Sequence, residues 1–448
     1  MATCVVIVGA GVAGLTAALC LSRQGVAVHV VEARDRAGGR IWTVRDASAG
    51  IPIELGAEFV HGKPPQIWRH HQPGILDIDE GLGKSWCSEQ DGLRPFDLFE
   101  QVERVMGRME EHRGADVSFA KFLDEIEGLD ERIRRRTLNY VTGFHGADPR
   151  DASIQSLAID TTAGEQIEGD RSFRIRQGYG TLIESLRDQC ERGGVTFYFK
   201  HVATRVDWSG PGVRIEATHL GGRAELEAAM AVVTLPIGIL RLRSGETGHV
   251  EFSPPLRDKS AALGKLAAGN VLRISLVFDE AFWRDGKTMG RDDLEDLQFL
   301  FSDDPWFPTW WTQSPRRLPL LTGWSPALRS EQFAGQSLEF IRDKALQSLS
   351  RVLRVRVTLL EERLVAAYSH DWITDPFSRG AYSYAQVGGA QCFRELALPL
   401  EGRLYFAGEA TDFNGHHATV HGAIASGERV AGEIIRDLGS TGKFRRSA

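Results

Sequence analysis

Apolar residues in this chain follow two rhythms. Cys4 to Val8 is an unbroken apolar run, which predicts a parallel strand buried on both faces, and Ala27 to Val31 repeats it after a helix pattern. Val271 to Phe278 alternates instead: Arg273, Ser275 and Val277 share one face and the other is wholly apolar, the pattern of a half-buried strand. From Ile75 to about Arg136 the composition turns charged and helix-favouring. Asp97 to Glu111 and Phe119 to Arg136 carry apolar positions at helical spacing, so an inserted helical subdomain is predicted there. The four arginines from Arg132 to Arg136 read as a solvated helix face or a binding patch. Further strands are predicted within Val195 to Val206, at the end of Glu225 to Pro236, at Arg363 to Tyr368 and at Leu404 to Ala407. Helices are predicted before Cys190, over Ser337 to Val352 and from about Val420 to Leu438. The two compositions interleave, which predicts an α/β chain, α+β overall, with two domains threaded through each other.

The first strand runs straight into Gly9-Ala10-Gly11-Val12-Ala13-Gly14. Gly9 permits a tight turn, Gly11 lets the backbone approach a pyrophosphate, and Gly14 lets the following helix pack on the strand. The helix N-terminus then aims free N–H groups at the phosphates. The second strand ends on Glu32, where this motif places an acid for the ribose hydroxyls of an adenosine. A bound dinucleotide is the expectation. Gly38-Gly39-Arg40 follows, either a solvated loop or a phosphate site with a bidentate guanidinium. Ile53 to Gly62 mixes strand-like residues with glycines, as a backbone pressed against a planar ligand would.

Composition removes several alternatives. The 448 residues are ample for a two-domain unit, and the net charge of -7 leaves no electrostatic footprint for nucleic acid. No apolar span is long enough for a transmembrane helix, no basic amphipathic tract suggests a membrane surface, and the apolar N-terminus lacks the basic region of a signal peptide. The cysteines are odd in number and scattered, which fits reduced thiols in a cytoplasmic protein. His70-His71 and His416-His417 are adjacent pairs without ligand spacing, so no metal site is expected.

Taken in order, GAGVAGL, EARDRAGGR, ELGAEFVHG, TLPIGIL, DPFSRGAYSY and LYFAGEATDFNGHHATVHGAIASGERVA give the chain its identity at family level. It resembles, over about residues 4 to 436, the flavin-dependent amine oxidases, the group of monoamine oxidases, polyamine oxidases and FAD-dependent histone demethylases. The resemblance implies a Rossmann-like FAD domain from residues 1–74, 172–241 and 395–448, beside a substrate domain from 75–171 and 242–394 whose sheet roofs the flavin ring. It implies that Glu32 holds the adenosine ribose, with Arg34, Gly39 and Arg40 along the ribose and pyrophosphate. Val202 would meet the adenine through its backbone, and Gly56, Ala57 and Glu58 would pass the flavin ring. Gly408 and Glu409 would approach the ribityl phosphate; taken alone, Glu409 is equally a capping acid. Thr419 and Val420 would offer N–H groups to the flavin N1 and C2 carbonyl edge, where reduction places negative charge.

The same resemblance implies hydride transfer from an amine to flavin N5, giving an imine and then an aldehyde, with dioxygen reduced to hydrogen peroxide. A desaturase, a dehydrogenase using another acceptor, and a non-catalytic FAD-stabilised protein are the alternatives. Three positions depart from the family. Arg273 stands where a lysine usually holds a water near N5; it is a catalytic residue or a structural ion pair. The aromatic cage is Tyr382 with His416 in the second place, more polar than a tyrosine pair. Ala381 replaces the cysteine that anchors flavin in monoamine oxidases, so the FAD is expected to be noncovalent. His61, near the substrate nitrogen in polyamine-oxidising members, and Trp372, at the flavin edge, complete the candidate set; a loop histidine and a core tryptophan are the competing readings. Glu58 could also receive a cationic substrate. Oligomeric state is not legible.

Overall fold

The structure, a computed structural model, describes residues 4–48, 50–291 and 293–440, without the side chains at 99–101 and 440. Its first core is a five-stranded sheet in the order Thr196–Tyr198, Ala27–Val31, Cys4–Val8, Met230–Val233, Leu404–Phe406, parallel throughout. Cys4–Val8 lies in the middle, and Val5, Val6 and Ile7 are wholly buried, as an unbroken apolar run requires. The helix Val12–Ser22 buries nine of its eleven residues, which explains its even hydrophobicity: it is covered by Val420–Ser440 and Gly180–Arg192. Small residues let these helices approach, and a side chain on Gly427 would overlap the Ala13 carbonyl oxygen.

A second core forms on a seven-stranded sheet, ordered Leu364–Ser369, Val271–Phe278, Leu320–Pro326, Thr309–Trp311, Leu297–Phe301, Lys84–Glu89, Gly92–Pro95. All eight residues of Val271–Phe278 are buried, so the half-buried expectation is corrected. Its polar face is covered too, because Ile51, Ile53 and Leu55 pack on Val277 and Leu320.

The stretch from Ile75 to Arg136 is only partly helical. Ile78–Glu80, Lys84–Glu89 and Gly92–Pro95 are strands, and Lys84–Glu89 pairs in parallel with Leu297–Phe301. The helix predicted over Phe119 to Arg136 is two helices, Phe119–Asp124 and Glu131–His145. Gly128 turns the chain at φ 69°, and the Asp130 carboxylate accepts from the N–H groups of Arg132 and Ile133 to start the second. Among the described residues no helix is long and apolar enough to cross a membrane.

Gly14 is the tightest point of the first turn, since an added Cβ would overlap the Gly9 carbonyl oxygen. Gly14→Ala is therefore expected to cost about 1–3 kcal/mol through forced backbone displacement. Urea unfolding followed by circular dichroism measures it, and an unchanged midpoint would contradict this packing.

Candidate active site

The glycine turn opens onto a trough. Gly9 takes φ 110°, and a side chain there would overlap the Thr234 hydroxyl; a Cβ on Gly11 would meet nothing within 4 Å, so that backbone is open to a ligand. Glu32, buried at the end of its strand, accepts from Ala10 N at 2.7 Å and from Arg34 N at 2.8 Å. Burial raises its pKa, and the two N–H groups offset part of that rise. A cavity of about 100 Å³ brings together Gly9, Gly11, Glu32, Arg34, Gly39, Arg40 and Val202. The Arg34 guanidinium itself points to Asp375, at 2.5 Å, and Ser378, so it ties this turn to the segment near Trp372.

Arg40 and Thr234 also line a second cavity, of about 1700 Å³, which adjoins the first. It contains Ala13, Gly56, Ala57, Glu58, His61, Arg273, Trp372, Tyr382, Gly408, Glu409, His416, Thr419 and Val420. Of the residues singled out in the sequence only Gly14 lines neither space; it packs the helix. The donor set fits a dinucleotide with a planar head: an open glycine turn, an acid at one end, and a helix N-terminus at the other. That terminus, at Val420–Ser440, is shaped by Glu409. Its carboxylate accepts from Arg40 Nη1 at 2.9 Å, Ser383 Oγ at 2.5 Å and Ala418 N at 3.0 Å. Burial opposes the charge on Glu409, yet Arg40 and these donors hold its pKa below the ordinary value. Ala418 is thereby kept at φ 61°, a conformation that costs about 1 kcal/mol or more for a residue with a side chain.

Glu58 is the centre of the wall opposite. It accepts from Arg174 Nε at 2.7 Å, Arg273 Nη2 at 2.6 Å, Gln313 Nε2 at 2.9 Å and Trp311 Nε1 at 3.1 Å to each oxygen. Burial alone would raise its pKa, but Arg273 and Arg174 outweigh that and bring it to about 2. Arg273 Nη1 donates to the Gly56 carbonyl at 2.8 Å, leaving Nε buried without a partner. Trp372 is 3% exposed and donates from its indole to Leu55 O at 2.8 Å, so it braces the backbone in front of Gly56.

At the far end of the trough His61, Tyr382 and His416 share the cavity with groups the sequence reading missed: Phe144, His145, Asp160, Trp324, His417 and His421. Burial lowers the pKa of His61 to about 4, of His145 to about 4 and of His421 to about 3, and it lowers that of His416. His417 differs. Burial works against its charge, but Asp160 at 3.1 Å raises its pKa above the ordinary value. The other Asp160 oxygen, Oδ1, is buried without a hydrogen-bond partner. The Tyr382 hydroxyl donates to Phe144 O at 3.2 Å, and burial raises its pKa.

The seven-stranded sheet floors the rest of this cavity. One cross-strand row runs Arg273, Trp324, Thr309, Phe301, Cys87, Arg94, each paired in register with the next, and all six line the space. At about 4.8 Å between strands the row extends roughly 24 Å.

A glycine turn on a parallel sheet, feeding a trough that ends under a second sheet, defines a flavin-dependent oxidoreductase architecture. The chain belongs to the flavin containing amine oxidoreductase family, whose model matches residues 12–72 and 75–435. That family implies a flavin cofactor. The chain is 27% identical over 474 residues to lysine-specific histone demethylase 2 of Homo sapiens, covering 96% of this chain and 53% of that protein. It thus spans about half the length of the demethylases it matches. It is 24% identical to polyamine oxidase 2 of Arabidopsis thaliana, covering 95% of this chain and 87% of that one. The fold is similar to that of putrescine oxidase solved with putrescine bound, with a TM-score of 0.79 at 20% identity over 97% of this chain and 99% of that one.

Glu58→Gln would leave Arg174 and Arg273 buried without a counter-charge and is expected to destabilise the protein by about 3–5 kcal/mol. A depressed carboxyl stabilises fully above its unfolded pKa of about 4.3, and the gain is lost as pH falls through that value toward about 2. Denaturant unfolding across this range should show a shallower acid slope in the variant. Equal slopes would remove Glu58 from the stability of the site.

Proposed function

We propose that the chain binds FAD noncovalently along this trough and oxidises an amine at the end that holds Tyr382, His416 and His61. The observation that carries the reading is adjacency: the space beside Glu32 and the space beside Arg273 and Tyr382 share Arg40 and Thr234 as walls. Noncovalent attachment is supported by Ala381 before Tyr382. Among the described residues the one cysteine lining the larger cavity is Cys87, four strands from Arg273 and roughly 19 Å away by strand spacing. When bound, FAD would supply the acceptor for a hydride from the carbon beside the amine nitrogen, chemistry that with water would end in an aldehyde or ketone and with dioxygen in hydrogen peroxide.

The chain's own residues supply position and charge. His61, His421 and His416 have lowered pKa values, so near neutrality they present neutral imidazoles and suit an amine whose lone pair is free. Tyr382 stays a neutral phenol. The partnerless Asp160 oxygen supplies an acceptor for the cation the amine brings. Thr419 and Val420, at the start of the helix, favour negative charge on the part of the ligand they face. Trp372 and Trp324 exclude water from the wall. A polyamine or secondary amine is compatible with this polar cage. A dehydrogenase using an acceptor other than dioxygen is the second reading, favoured by Arg273: Glu58 and Gly56 engage its two Nη atoms, so it offers no neutral base.

Anaerobic mixing with a panel of amines is expected to bleach the flavin absorbance, with peroxide forming on admission of air. Bleaching without peroxide selects the dehydrogenase, and protein that takes up no flavin ends both readings. The value of kcat/KM should rise with pH toward the pKa of each amine. His61, with a pKa of about 4, adds no inflection above about pH 5. His417, whose pKa Asp160 raises, can add a fixed inflection, so the result that would contradict the neutral-amine requirement is a profile with no inflection that moves when the amine is changed. Arg273→Lys is expected to speed reoxidation in stopped-flow mixing with air; slower reoxidation would give Arg273 itself a positive part in the oxygen step.

A further inference from the structure

Among the described residues eight arginines line the larger cavity, and seven of them pair with a carboxylate: two with Glu89, one each with Glu58, Glu80, Asp91, Asp303 and Glu409. Arg329 is the exception. Its half-buried guanidinium has no ion pair or hydrogen bond among the described residues. The acids nearest in charge are already committed. Asp303 takes Arg135 at 3.2 Å and Asn139 at 3.3 Å, while Asp304 takes Arg351 at 2.7 Å and the N–H groups of Trp306 and Phe307. Burial accordingly lowers the pKa of Arg329, against the partial support of Asp303 and Asp304. A guanidinium half withdrawn from water, with its donors left to solvent, gains when a charged acceptor arrives.

Its position fits an arriving ligand. Arg329 lies in the turn Ala327–Phe333, directly after the strand whose Trp324 faces Arg273. Its neighbour Asp303 follows Leu297–Phe301, three strands from Arg273, so the guanidinium stands roughly 10–15 Å across the sheet from Arg273. We propose that Arg329 binds a carboxylate on the far end of the amine substrate, which makes the substrate class an extended amino carboxylate. The inference rests on the amine-oxidation reading for the near end. A diamine of the same length would bring a second ammonium against the guanidinium, whereas a carboxylate forms a bidentate pair with it.

The test uses the flavin-loaded protein and three eight-carbon probes: octanoate, ω-aminooctanoate and the matching octane diamine. Calorimetry is expected to show octanoate binding that weakens about tenfold or more in Arg329→Gln and is largely restored in Arg329→Lys. In turnover, kcat/KM should favour the amino carboxylate over the diamine by about tenfold or more, and Arg329→Gln should collapse that ratio. Octanoate binding that is absent or unchanged in Arg329→Gln, or a wild-type preference for the diamine, overturns the proposal. If no amine bleaches the flavin but octanoate binding still depends on Arg329, the anion site stands and the oxidation reading falls. If the diamine bleaches the flavin and Arg329→Gln alters neither binding nor ratio, oxidation stands and the anion site falls.

Discussion

The buried Glu58 carboxylate is the point on which this architecture hangs. It gathers Arg174 from the strand Ser172–Ile175, Arg273 from the second strand of the seven-stranded sheet and Trp311 from the central strand, two places further across. Residues 56–58 form the wall of the trough, so the same four donors that neutralise one charge also fix the distance between that wall and the seven-stranded sheet. A buried ion pair of this kind contributes little net stability against an apolar replacement of equal shape. What it contributes is register: two guanidinium groups and an indole accept only one placement of the carboxylate, and the segment Gly56–Glu58 follows.

Much of the first core was readable locally. A strand, a glycine turn, a helix and a terminal acid fall within about thirty residues, and each element's preference agrees with its neighbour's. The charged stretch after Ile75 was not, because Lys84–Glu89 and its local partner Gly92–Pro95 join the large sheet through a strand more than two hundred residues away. Arg273 shows the same limit: its alternation pattern was correct, but the layer that buries its face comes from Ile51 to Leu55. Asp160 and His145 carried no signal at all, since nothing in their own surroundings announces that His417 will stand beside them. His416 and Tyr382 were legible only through motif likeness, and their protonation states depend on burial that spacing does not reveal.

The cavity is electrically uneven along its length. Near Tyr382 burial keeps His61 and His421 neutral, His417 is paired with Asp160, and the other Asp160 oxygen has no hydrogen-bond partner; along the sheet, arginines and acids alternate in closed pairs. Closed pairs present little net charge to a passing molecule, so affinity there is set by the few groups left unmatched.

The cross-strand row also has a consequence for how such a protein diversifies. Its six rungs belong to six strands, and exchanging one leaves the hydrogen-bonded ladder of the others intact. A gene duplicate could therefore alter how far its ligand reaches by changing an outer rung such as Phe301 or Cys87, while the redox end inherits its geometry unaltered.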